Sequence, residues 1–145
     1  MGTANSYRMF YNNKNVTAFN EFQHFTSCTY IWGNYARVGL ASGFTNTNLA
    51  KIVLPDSLTS LQDAAFAGTK LTTLDLKNVS SIGRRVFLSV NIILFGHETP
   101  PTLNSDGVNG INAVYVPDDY VATWKAASVW SNIASRIHPI SEYTG

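Results

Sequence analysis

The chain has 145 residues, 45% of them hydrophobic, which is one domain's length with enough apolar content for a core and too much for disorder. Charged residues make up only 13% and the net charge is +1, so no basic footprint for nucleic acid or an anionic membrane is present. A single cysteine excludes an internal disulfide framework and a multi-cysteine zinc site, and no apolar run approaches the roughly 20 residues that span a bilayer.

Met1 to Asn5 carry no signal-peptide pattern, and the Met-Gly start suggests a piece of a longer protein. From Val16 to Phe25 the apolar spacing predicts a short amphipathic helix. Phe19, Phe22 and Phe25 form one side, and Asn20, Gln23 and His24 the other. Thr17 or Asn15 is placed to cap its start, with Glu21 in a supporting position. This gives an N-terminal capping helix over about 15–28.

The middle of the chain, 29–99, repeats. Phe44, Phe66 and Phe87 recur at intervals of 22 and 21 residues. Leu49 and Leu71 follow the first two at equal offsets, as do Ile52 and Leu74, then Leu54 and Leu76. Leu58 and Leu61 precede Phe66 as Val79 and Ile82 precede Phe87. A period of roughly 20–25 residues is that of solenoids. Each unit offers a short strand such as Leu71–Leu76, and one unit cannot cover its own apolar side. Stacking parallel strands about 4.8 Å apart buries a continuous column. The expected fold is therefore a strand-rich α/β repeat solenoid with short parallel strands and helical caps at both ends. The upstream offsets fail before Phe44, where they fall on Gly39 and Ala36, so 29–43 is irregular.

The tail, 100–145, supplies the C-terminal cap. Pro100-Pro101 is expected to break the repeat, 105–110 to form a loop, and Ala113 to Val116 to form the last strand. Asp118 or Asp119 is placed to cap a helix carrying Tyr120, Val121, Trp124 and Ala127. Trp130 and Ile133 lie on a further turn, Ile137 and Ile140 end the ordered chain, and Tyr143 to Gly145 fray.

Two stretches carry a family resemblance. Leu54-Pro55-Asp56-Ser57-Leu58-Thr59-Ser60-Leu61, then Ala65-Phe66 and Leu71-Thr72-Thr73-Leu74, resemble the BspA-like leucine-rich repeats of bacterial surface proteins. Val114-Tyr115-Val116-Pro117-Asp118, Trp124-Lys125, Trp130 and Ile137 through Ser141 resemble the C-terminal cap of such proteins from gut and oral Bacteroidales. Phe19 to Phe25 resembles the segment that often precedes their first repeat. The resemblance covers about 120 residues. It implies a secreted or cell-surface protein, with some members binding extracellular-matrix proteins or partner bacteria, and it brings no catalytic residues, cofactor or metal. Similar domains occur in phage-tail-associated proteins.

Chemistry-bearing pairs are few. His24 and Cys28 lie four apart, but no third orienting group or oxyanion turn accompanies them, so a structural thiol is expected. Asp118-Asp119 reads as helix capping. Asn104 to Gly110 has oxygen-bearing side chains at alternate positions but lacks the terminal Glu of a calcium loop, so a plain turn is expected. No Gly-x-Ser-x-Gly elbow occurs, and Gly68-Thr69-Lys70 is no phosphate loop. Arg84-Arg85 is a lone basic pair, and the sequons at Asn15 and Asn78 matter only in a eukaryotic secretory setting.

Two candidate binding features remain. Tyr30, Trp32 and Tyr35 cluster in the irregular stretch; they suit sugar or protein recognition, or else they cover the open end of the first repeat. The outward strand positions Lys51, Thr73 and Asp75 form a weakly charged ladder of the kind that recognises partners in solenoids. The expectation is a non-enzymatic binding or adhesion module for a protein or glycan, outside the cell or on its surface, with no nucleic-acid partner and no membrane insertion. The competing reading is a structural spacer or cap of a larger surface or phage-tail-type protein.

Overall fold

The computed structural model describes residues 10–32, 43–88, 90–104 and 106–145. Its strands are β1 (Ala18–Phe19), β2 (Tyr30–Ile31), β3 (Lys51–Ile52), β4 (Ser60–Leu61), β5 (Thr73–Asp75), β6 (Ser81–Ile82), β7 (Ile92–Leu94), β8 (Thr102–Leu103), β9 (Ala113–Val116) and β10 (Ile137–Pro139). Every pairing among them is parallel. One sheet runs β2-β4-β6-β8 and another β5-β7-β9-β10, while β1 pairs with β3. The chain therefore alternates between sheets, laying a strand of one and then a strand of the other. A backbone bond from Lys70 N to Leu49 O, at 2.8 Å, joins the β1-β3 pair to the repeat that follows.

The repeat is stitched by a turn that recurs at the phenylalanine positions. Thr47 N donates to Phe44 O, Thr69 N to Phe66 O, Val90 N to Phe87 O and Ile111 N to Val108 O, all between 3.1 and 3.4 Å. Val108 is thus the fourth copy of the phenylalanine. Two residues after Phe44, Phe66 and Val108 the backbone is left-handed, at Asn46 (φ 58°), Gly68 (φ 68°) and Gly110 (φ 88°). Asn and Gly are the residues that enter this region at least cost. Phe44 and Phe66 stack with ring centroids 5.7 Å apart and planes 8° from parallel. Phe66 and Phe87 are fully buried.

Both sheets feed one core. Ile31, Leu61 and Ile82 point in from one, Leu74, Ile93, Val114 and Ile137 from the other, and all belong to a single buried cluster. Period-2 alternation does the rest. In β9 the pattern is half-buried, buried, half-buried, buried, so Ala113 and Tyr115 face outward.

The N-terminal helix expected over 15–28 is replaced by β1, a five-residue 3-10 helix (Asn20–His24) and β2. The phenylalanine spacing explains the change. A 3-10 helix has three residues per turn, so positions three apart eclipse. Phe22 lies with its ring centroid 5.4 Å from both Phe19 and Phe25. Neither Thr17 nor Asn15 caps this helix; its N-cap residue is Phe19, with no side-chain cap bond.

The C-terminal region is partly helical. A 3-10 turn (Asp118–Tyr120) leads into α1 (Val121–Ala126), and a second 3-10 stretch spans Trp130–Arg136. Three expectations there are corrected. Pro100-Pro101 does not break the ladder, because β8 follows at once in register with β6; a proline just ahead of a strand forfeits no ladder bond the sheet needs. Ala113 to Val116 is not the last strand, since β10 adds beyond it. Asp118 does not cap the helix, whose N-terminus has no side-chain cap bond; its Oδ1 instead accepts from Ser141 N at 3.1 Å and pins the terminal turn. Tyr143 is also held, with its ring 5.0 Å from that of Tyr115. Trp124 and Trp130 seal the core under Phe95, and Trp130 Nε1 donates to Pro101 O at 2.9 Å.

Candidate functional site

Register decides which side chains share a surface. On β5-β7-β9-β10, Thr73, Ile92 and Ala113 form one row, all half-buried, and Asp75, Leu94, Tyr115 and His138 a second, in which Asp75 is exposed, Tyr115 and His138 are half-buried and Leu94 is buried. Asp75 Oδ1 accepts from Lys77 N at 3.1 Å, which holds the left-handed turn at Lys77. Lys77 Nζ in turn meets Asp56 at 2.8 Å. Lys51 is exposed on β3, beside Ala18 of β1.

Tyr30 and Trp32 lie elsewhere. Tyr30 opens β2, the first strand of the other sheet, and Trp32 follows it; they are 43% and 39% exposed. Their rings meet edge to face at 6.4 Å. Tyr35 lies outside the described residues. Tyr30 and Trp32 thus lie on a different sheet from Thr73 and Asp75, and Lys51, on β3, belongs to the β1-β3 pair. The chain alternates sheets, so neighbours in sequence separate in space.

The sheet of β2, β4, β6 and β8 carries a feature the sequence reading passed over. Its first outward row is Tyr30, Ser60, Ser81 and Thr102. One residue beyond the inward row come Trp32, Gln62, Gly83 and Asn104. Leu61, Gln62, Ser81, Ile82, Gly83, Thr102, Leu103 and Asn104 line an open groove of about 280 Å³. No ionisable side chain is in that lining. Gly83 makes the floor: a Cβ there would sit 2.5 Å from Asp63 N and 2.8 Å from Gln62 C, closer than real side chains come. Gln62 Nε2 donates to Ser60 Oγ at 3.0 Å, so its amide lies along the outer face. The signal was present in the sequence as Ser60-Leu61-Gln62, Ser81-Ile82-Gly83 and Thr102-Leu103-Asn104, a hydroxyl and an aliphatic residue at a constant interval.

The remaining candidates have structural explanations. Cys28 Sγ donates to Tyr30 O at 3.4 Å, and partial burial pushes its thiol pKa up, the opposite of what a nucleophile needs. In the Asn104–Gly110 stretch, Gly107 N donates to Asn104 O at 2.8 Å in an ordinary turn, with Val108 buried beneath it. Arg84 N donates to Asp63 Oδ1 at 2.7 Å. Among the described residues, no three His, Cys, Asp or Glu side chains come together as a metal site would require. Among the same residues, no helix is long and apolar enough to cross a membrane.

Residues 39–99 match the family described as the BspA type leucine rich repeat region, in six copies. The repeat region belongs to the BspA-type leucine-rich repeats. The match spans β3 to β7, the part in which the recurring turn and both ladders are established. In this BspA-type region the leucines are the inward positions, Leu49, Leu54, Leu58, Leu61, Leu71, Leu74 and Leu76, each at most 1% exposed. No curated protein matches the chain at a significant level.

Proposed function

We propose that this protein is a non-enzymatic recognition module of a secreted or cell-surface protein, a short solenoid that binds a protein or glycan through its outward strand faces. The observation that carries the reading is the pair of parallel ladders over one core: the sheet of β2 exposes Tyr30, Ser81 and Thr102, and the sheet of β5 exposes Asp75 beside half-buried Thr73, Tyr115 and His138. Side chains fixed on such a sheet lose little further freedom on binding, so a modest contact area yields useful affinity. The short uncharged side chains around the groove can donate and accept hydrogen bonds, and no ionisable group in the lining stands ready to activate the Ser81 or Thr102 hydroxyl.

The test is a binding screen of the intact chain, by surface plasmon resonance, against fibronectin, fibrinogen, collagen and an oligosaccharide panel. Asp75→Asn, which can keep the acceptor for Lys77 N, changes the β5 face, Trp32→Ala changes the β2 face, and Lys51→Glu changes the β1-β3 pair. Saturable binding that one of these substitutions weakens is the expected result. Failure to bind every probe would favour the spacer reading.

A further inference from the structure

We propose that the groove on the β2-β4-β6-β8 sheet is a binding site for a neutral oligosaccharide, with its rings laid over Gly83 between Gln62 and Asn104. This rests on the recognition-module reading and assigns it a surface and a ligand class.

Three features of the groove select that ligand. The first is shape. Adjacent parallel strands lie about 4.8 Å apart, so Gln62 and Asn104, two strands apart, stand roughly 9.6 Å from each other. Between them Gly83 contributes no side chain, and none can be added there without meeting the backbone of Gln62 and Asp63. The groove is a gap in a ladder, and it is preformed.

The second is the polar lining. Ser81 and Thr102 each carry a hydroxyl that donates and accepts, and Gln62 and Asn104 each carry an amide that does both. Ser81, Thr102 and Asn104 are exposed, and Gln62 is half-buried. A sugar presents vicinal hydroxyls that need donors and acceptors in alternation at short range, which is what this surface repeats from strand to strand. An anionic ligand would find no cation in the lining. A peptide would find no apolar anchor pocket of a protein hot spot, and the groove lies across the sheet's face rather than along the edge of its terminal strand β8, where an added strand would pair.

The third is an aromatic pair at β2, the strand next to the β4 wall of the groove. Trp32 occupies the same row as Gln62, Gly83 and Asn104, one strand earlier, with Tyr30 edge-on to it at 6.4 Å. A partly exposed indole gives the C–H face of a sugar ring an apolar platform beside polar partners. The small contact area sets the dissociation constant at about 0.1–1 mM for a short chain.

The experiment is an NMR titration of the ¹⁵N-labelled chain with cellohexaose, maltohexaose and mannohexaose, and with a heparin hexasaccharide as the anionic arm. The expected result is saturable amide shifts at 61–62, 81–83 and 102–104 with at least one neutral hexasaccharide. Ser81→Phe, which fills the groove from an exposed position, should weaken binding at least tenfold, and Trp32→Ala about tenfold. Ile140→Ala, on the terminal turn, should leave it unchanged. If Ser81→Phe perturbs the amide spectrum beyond the groove, the Gln62→Ala/Asn104→Ala pair replaces it with the same expected loss. Absence of saturable shifts with all three neutral hexasaccharides overturns the proposal, as does tighter binding of heparin. Shifts confined to β5, β7 and β9 overturn it too. A matrix protein that still binds Ser81→Phe and is lost with Lys51→Glu would remove this site and leave the recognition module standing.

Discussion

Phe66→Ala removes the ring at the centre of the repeat. The side chain is fully buried and stacks on Phe44 at 5.7 Å. Truncating a buried Phe costs about 3–5 kcal/mol, the lower part reflecting lost transfer energy and the rest the cavity left behind. Collapse is restricted here, because the strands on both sides of the core are fixed by parallel ladders and the adjacent turn by the bond from Thr69 N to Phe66 O. The upper half of that range, about 4–5 kcal/mol, is therefore expected. That is a large share of the roughly 5–15 kcal/mol that stabilises a domain. At roughly 2–4 °C per kcal/mol, the melting temperature falls by about 8–20 °C. Leu88→Ala, at a 52% exposed position, should change stability by less than about 0.5 kcal/mol. Urea denaturation of both variants measures the difference. A double-mutant cycle with Phe44→Ala should return about 0.5–1.5 kcal/mol of coupling from the stacked pair. A cost below about 1.5 kcal/mol for Phe66→Ala, or zero coupling, would mean that the two rings are not consecutive rungs of one column.

Gly83→Ala pushes a methyl into the backbone of the preceding strand connection, so a loss of about 1–3 kcal/mol is expected in urea melts, although alanine is harmless at most exposed glycines. Trp130→Phe leaves Pro101 O, on the buried side, without its indole donor and should cost about 1–3 kcal/mol, read by thermal melting. The Asp118 carboxyl is held below its ordinary pKa of 3.8, chiefly by the side chain of Ser141 and then by its backbone N–H. A depressed carboxylate stabilises the fold above its unfolded-state pKa and loses that contribution as pH falls through the folded value. The gap in melting temperature between wild type and Asp118→Ala should thus be constant above about pH 5 and shrink as the pH falls below 3.8; a gap that widens on acidification contradicts the Ser141 contact. Cys28, with its thiol pKa raised by burial, should react with Ellman's reagent at pH 8 more slowly in the native chain than in urea.

The period was legible because the inward positions are nearly all Leu, Ile or Phe, and their offsets survive from Phe44 to Phe87. The second sheet was harder to read. Its strands are only two residues each, Ser60–Leu61 and Ser81–Ile82, too short for an alternation to show. Leu61 and Ile82 stand out as positions of the repeat, but a single serine before each carries no strand signal of its own. A repeat unit read as one strand holds two, and these belong to different sheets. The N-terminal phenylalanines show a different limit. A spacing of three fits an α-helical stripe and a 3-10 helix alike, and the choice fell to packing, with Phe10, Phe19 and Phe22 gathered around Phe44. Asp118 looked like a cap because carboxylates favour helix starts; a tail residue 23 positions later claimed it instead.

The account stands on two parallel ladders over one core, since every assignment of an exposed face follows from their register. Cross-strand NOEs from a ¹³C,¹⁵N-labelled sample measure that register directly. Contacts linking Ser60 to Ser81 to Thr102, and separately Thr73 to Ile92 to Ala113, are predicted. NOEs that pair the two series with each other, or that shift either by one residue, would turn the groove-lining side chains into the core and contradict the account.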